Sequence, residues 1–135
     1  MYTGSCLCGS IRYEADCELE NFSYCHCRSC RKASGSAFAA NASVPREKLR
    51  FTDGMETLRE YESSPGKFRA FCGKCGSPVY AYLASSRDTL RLRLGTLDSP
   101  FTGRPKFHIF VSEKAPWDAI TDGIVQFPEW PKAKD

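Results

Sequence analysis

Apolar and polar positions alternate in short runs along this chain, and no run repeats with the three-to-four-residue period of a long helix. Leu90–Leu94 (LRLRL) is a strict period-two run, the pattern of a strand with one face in the core. Ile11–Ala15 (IRYEA) alternates in the same way, and Lys106–Val111 (KFHIFV) predicts a further strand. Lys67–Phe71 (KFRAF) and Val79–Leu83 (VYAYL) read as strands on either side of a cysteine pair. Glycine and proline punctuate these runs at Gly54, Pro65–Gly66, Gly76–Pro78, Pro100 and Gly103–Pro105. One short helix is predicted over Arg28–Ser34, ended by Gly35, where a positive φ carries no Cβ strain. The expected fold is mainly β: antiparallel strands with little helix and cysteine knuckles at strand ends. No repeat, low-complexity stretch or linker divides the chain, so residues 1–130 are expected to form a single domain. The polar tail 131–135 is expected to fray.

Composition narrows this picture. A chain of 135 residues buries about two-thirds of its unfolded surface, enough for a modest core without help from a metal. With 41% hydrophobic and 13% aromatic residues it is not a disordered chain. No apolar run approaches the ~18 residues of a membrane span. The start MYTGSCLCGS lacks the basic and apolar regions of a secretory signal, so a cytoplasmic location is expected. In a reducing compartment eight cysteines argue for metal binding rather than disulfides, as does the tight spacing of Cys6–Cys8 and Cys25–Cys27–Cys30. The formal charge of +3 counts every cysteine as neutral. Seven thiolates on two Zn²⁺ ions would cancel it. With Lys and Arg also scattered, neither a nucleic-acid nor a membrane partner is expected.

Three cysteine elements carry the candidate chemistry. Cys6-Leu7-Cys8-Gly9 and Cys72-Gly73-Lys74-Cys75-Gly76 are tight loops in which two sulfurs can approach one ion, with backbone N–H groups turned toward them. Glycine after the second cysteine allows the left-handed turn such a loop needs. Two such loops facing each other make a closed tetrahedral Cys₄ site, with Zn–S near ~2.3 Å. Cys25-His26-Cys27-Arg28-Ser29-Cys30 places three sulfurs in six residues with no fourth ligand beside them, the arrangement of an open zinc site. A division that moves Cys25 or Cys27 to the closed site stays open. In an extended segment Cys25 and Cys27 point one way and His26 the other, which favours a supporting or packing role for His26 over ligation. Cys17 is left over as a free thiol. His108 is either a half-buried histidine bonded to backbone or the proton donor beside the open zinc. Arg28, Arg31 and Lys32 either form a solvated helix face or hold a substrate carboxylate.

The chain resembles the glutathione-dependent formaldehyde-activating enzyme family, a group with the Mss4-like fold. The resemblance is carried by Gly4-Ser5-Cys6-Leu7-Cys8-Gly9, by Cys25-His26-Cys27-Arg28-Ser29-Cys30-Arg31-Lys32 with Gly35 and Phe38, and by Phe71-Cys72-Gly73-Lys74-Cys75-Gly76-Ser77. Pro105–Ile109 and Ala115-Pro116-Trp117 echo it more weakly. It implies coiled antiparallel strands, a structural zinc on Cys6, Cys8, Cys72 and Cys75, and a catalytic zinc on Cys25, Cys27 and Cys30. It also implies carbon–sulfur lyase chemistry, in which a thiol such as glutathione adds reversibly to an aldehyde such as formaldehyde. The expected partners are accordingly a small-molecule thiol and aldehyde, with His108 as catalytic candidate. The competing reading is a zinc-stabilised binding module without catalysis, since a fold does not determine a function.

Overall fold

Short alternating runs cannot bury themselves, and their backbone groups need partners from elsewhere in the chain. The computed structural model, which describes residues 1–132, supplies these through β1 (Tyr2–Ser5), β2 (Arg12–Ala15), β3 (Glu20–Cys25), helix α1 (Arg28–Ser34), β4 (Ala39–Pro45), β5 (Leu49–Asp53), β6 (Leu58–Ser64), β7 (Lys67–Cys72), β8 (Pro78–Leu83), β9 (Thr89–Arg93) and β10 (Phe107–Ile109). The fold is mainly β, as the alternation predicts. Among the described residues no helix is long and apolar enough to cross a membrane. Of the tail expected to fray, Pro131 and Lys132 are exposed and irregular, and 133–135 lie outside the described residues.

The chain divides into two compact units. The first takes Met1–Glu20 and Ala42–Thr102. It contains a three-stranded sheet in the order β1-β2-β5 and the run β9-β8-β7-β6. In β9 the alternation predicted for LRLRL is realised, with Leu90 and Leu92 fully buried, although Arg93 is buried too. β8 is buried on both faces through Val79, Tyr80, Ala81 and Tyr82, and so does not alternate. β6 lies at the sheet edge with Arg59, Glu60 and Glu62 exposed, charges that discourage pairing with another chain.

The second unit takes Asn21–Asn41 and the chain from Gly103 on. Here the expected antiparallel arrangement has an exception, because β10 pairs with β3 in parallel. The register sets His108 beside Tyr24 and Ile109 beside Cys25. On its other side the His108 backbone exchanges hydrogen bonds with the segment around Gln126, its N–H donating to Val125 O and its carbonyl accepting from Phe127 N, each at 2.9 Å. α1 has the predicted limits. The Cys30 N–H donates to the side chain of Cys27 at its start, and Gly35 closes it with φ 66°.

Candidate metal centres and a histidine chain

The first cysteine cluster lies wholly in the first unit. Hydrogen bonds from Gly9 N to Cys6 O (3.0 Å) and from Gly76 N to Cys72 O (2.8 Å) close the two loops. Gly9 and Gly76 sit at φ 77° and 79°, the left-handed turns that a Cβ would strain. Between them the loops bring Sγ of Cys6, Cys8, Cys72 and Cys75 within 4.8 Å of one another. Backbone N–H groups point at the sulfurs: Ile11 N donates to Cys6 Sγ at 3.3 Å, and Lys74 N to Cys72 Sγ at 3.3 Å. Such donors favour the thiolate form that a metal requires. The Ser77 hydroxyl and backbone push Cys75 down to about 5, and the Ser10 hydroxyl lowers Cys8. Burial raises Cys6. The donor set is that of a closed tetrahedral site for a soft or borderline cation.

The second cluster lies wholly in the second unit. Sγ of Cys25, Cys27 and Cys30 fall within 4.8 Å of one another, and among the described residues no histidine or carboxylate joins them. Cys25 comes from the end of β3, Cys27 from the helix cap and Cys30 from the first turn of α1. Cys25 and Cys30 are buried against Ala39 and Ile109, with Phe107, Phe110 and Phe127 packed around them. The neighbouring sulfurs of Cys27 and Cys30, followed by burial, raise Cys25, since crowded sulfurs resist sharing negative charge. A cation among the three would offset that repulsion, and the set suits a site that keeps one position for an added ligand.

Cys17 is half-buried, joins neither cluster, and is raised by burial and the Asp16 charge. Arg28 and Lys32 are exposed while Arg31 is half-buried, so the basic trio does not form one solvated stripe.

The two histidines of the chain meet. His26 Nε2 lies 2.8 Å from His108 Nδ1, and His108 Nε2 lies 2.9 Å from Asp122 Oδ2. His26 is 0% and His108 2% exposed. Burial, then the facing His108, lowers His26, whereas the Ile124 N–H lowers Asp122. His108 was expected either on backbone or beside a metal. Its ring spans the gap between His26 and Asp122, and its backbone carries the β10 pairings. Sequence reasoning did not find Asp122. Its only local feature is the turn at Asp122-Gly123, and nothing there pairs it with a histidine 14 residues earlier.

A family model described as glutathione-dependent formaldehyde-activating enzyme matches residues 1–113, which include all seven clustered cysteines and both histidines. The chain belongs to this family. An uncharacterized lyase of Schizosaccharomyces pombe is 34% identical over 79 residues, covering 58% of this chain and 56% of that relative. The chain thus spans little more than half the length of the curated relative it matches. A solved structure of a Rhodobacter sphaeroides protein shares the fold, with TM-score 0.61 at 24% identity over 74% of this chain and 91% of that one.

Proposed function

We propose that this member of the family is a zinc-dependent carbon–sulfur lyase that adds a thiol, glutathione or one like it, reversibly to a small aldehyde such as formaldehyde. The observation that carries the reading is the cysteine triplet. A protein that used metal only for stability would need the quartet of Cys6, Cys8, Cys72 and Cys75, whereas Cys25, Cys27 and Cys30 form a set of three with, among the described residues, no other ligand type beside them. Family membership and the lyase name of the yeast relative support the same class of reaction.

In this reading Cys6, Cys8, Cys72 and Cys75 hold a structural zinc, and Cys25, Cys27 and Cys30 hold a second. Zinc at the triplet supplies an open coordination position and the positive charge that favours the thiolate form of an incoming thiol. The protein's own groups set the surroundings. Phe107, Phe110 and Phe127 pack around the buried sulfurs and limit water there. Exposed Arg28, in the same helical turn as Cys30, can pair with a substrate carboxylate. His108, the catalytic candidate of this reading, is bonded through its two ring nitrogens to His26 and Asp122, and His26 lies between two of the ligands in sequence.

The test uses metal content and spectroscopy on the purified protein. Elemental analysis should find two zinc ions per chain. In cobalt-substituted protein, added glutathione should change the visible and charge-transfer bands, and Cys30→Ser should abolish the change. Exchange NMR should then find interconversion of formaldehyde, glutathione and their adduct faster than background, again only with Cys30 intact. No spectral response to glutathione or to any other small thiol would reject the enzyme reading and favour a zinc-stabilised binding module.

A further inference from the structure

The three sulfurs of the triplet are not held in the same way. Cys25 is 5% and Cys30 3% exposed, and packing against Ala39, Ile109 and the surrounding phenylalanines fixes both. Cys27 is only half-buried and serves as the cap of α1, its Sγ accepting the Cys30 N–H at 3.2 Å. With seven residues, α1 is too short to hold its own first turn in place. That turn contains no acidic residue and begins with Arg28, the wrong charge for the positive end of a helix dipole. Bonds from outside the helix must then help to set the position of Cys27.

Those bonds come from residues 109–113. His26 N donates to Ile109 O at 2.9 Å and Arg28 N to Glu113 Oε1 at 3.0 Å, so the amides on either side of Cys27 are both tied to this stretch. The first bond is to backbone and extends the parallel pairing of β10 with β3. The second is to a side chain, 85 residues away in sequence, and depends on that side chain's length. A turn at Phe110 delivers Glu113 to this place, with φ 56° and ψ 38° in the left-handed region that a bulky residue avoids. Strain of this kind persists where the surroundings over-determine the conformation. Here the N–H groups of Phe110, Val111 and Ser112 donate to the carbonyls of Glu129, Phe127 and Pro128 at 3.0, 3.1 and 3.1 Å. The Trp130 ring meets the Phe110 ring edge-on, with centroids 5.0 Å apart, and Glu113 N closes the turn on Phe110 O at 3.0 Å. Glu113 thus stands on a rigid support although it is exposed.

We propose that Glu113 is a positioning residue of the triplet: by accepting the Arg28 N–H it holds Cys27 where its sulfur can share one metal ion with Cys25 and Cys30. The inference rests on the reading of the triplet as a metal site and not on the carbon–sulfur chemistry. What acts is the reach of the acceptor oxygen rather than the charge it carries. Glutamine keeps that oxygen at the same reach, aspartate keeps the charge but falls a methylene short, and alanine keeps neither.

Chelator competition on the zinc-loaded chain tests it, with metal release followed by a metallochromic dye. The release step that Cys30→Ser removes belongs to the triplet, and the remaining step, from the quartet, is an internal standard. Glu113→Ala and Glu113→Asp should each weaken zinc at the triplet about tenfold, the low end for loss of a group that orients a metal ligand. Glu113→Gln should stay within about twofold of the unmodified protein, and the quartet step should not move in any of the three. In cobalt-loaded protein the visible bands of the triplet should change in the alanine and aspartate variants and return in the glutamine variant. Unchanged triplet affinity in Glu113→Ala would overturn the proposal. So would an order set by charge, with aspartate binding as the unmodified protein does and glutamine as alanine does, or equal losses at triplet and quartet. Those results are read with zinc on the triplet and leave the metal reading standing. A single release step in the unmodified protein, unaffected by Cys30→Ser, would instead reject the triplet as a metal site and this inference with it.

Discussion

Replacing Tyr13 with phenylalanine should weaken the protein near neutral pH and cost progressively less as the solution becomes strongly alkaline. Tyr13 is 2% exposed, and its hydroxyl lies 2.6 Å from Thr96 Oγ1. Thr96 Oγ1 itself donates to Arg93 O at 2.8 Å, so the hydrogen between Tyr13 and Thr96 comes from the tyrosine. Near pH 8, Tyr13→Phe removes that bond and leaves a half-buried acceptor unpaired, a loss of about 1–2 kcal/mol. Burial, together with the Asp98 charge, raises Tyr13 from 10.0 to about 12. A group raised on folding contributes stability that is complete below its unfolded value and is lost as pH rises through its folded one. The window here therefore runs from 10.0 to about 12. At about 1.36 kcal/mol per unit, half of that contribution, about 1.4 kcal/mol, has gone at about pH 11. The phenylalanine variant has no such group and loses none of it. Guanidinium unfolding of both proteins at about pH 8 and about pH 11, followed by far-UV circular dichroism, measures the difference between them, in which the titration of cysteines and lysines cancels. The stability gap should shrink by about 1.4 kcal/mol, enough to close it or nearly so. A gap that is constant or widens with pH would refute the reasoning that links Tyr13's burial to its ionisation.

Two other outcomes follow from the same structure. Cys72→Ser should abolish cooperative unfolding, because structural zinc binding contributes on the order of 10 kcal/mol and rivals a domain's whole stability, whereas Cys30→Ser should lose one metal and keep a cooperative melt; equal loss in thermal scans would contradict the division into a closed quartet and an open triplet. Gly4→Ala should destabilise by about 1–3 kcal/mol or more in denaturant titrations, because the added Cβ would stand 2.2 Å from the tip of the Tyr13 ring and 2.7 Å from the Thr96 carbonyl oxygen; unchanged stability would mean that β1 does not pack against Tyr13 as described.

The features that sequence alone determined are those written within a few residues. Gly9, Gly35 and Gly76 occur where the knuckles and the helix end require positive φ, and each adopts it. The helix Arg28–Ser34 and the strands of β2, β7, β8 and β9 follow from local alternation and turn residues, within a residue or so at their ends. The spacing of Cys25, Cys27 and Cys30 sufficed to bring three sulfurs together, because a single strand-to-helix turn carries all of them.

Tertiary structure decided what spacing could not. β6 (LREYESS) has no apolar alternation, and it is a strand because β7 satisfies its backbone groups. Spacing made the Cys6–Cys8 and Cys72–Cys75 loops candidates for one site but left the division of the cysteines open, and the fold realises their meeting across 64 residues. The parallel pairing of β10 with β3 sets His108 beside Tyr24, and from there its ring reaches His26 and Asp122. Backbone dihedrals and side-chain direction are properties of a few consecutive residues, so a linear pattern carries them. Which distant groups become hydrogen-bond partners depends on the register of strands and on which polar atoms lose water together, and only the assembled chain determines that.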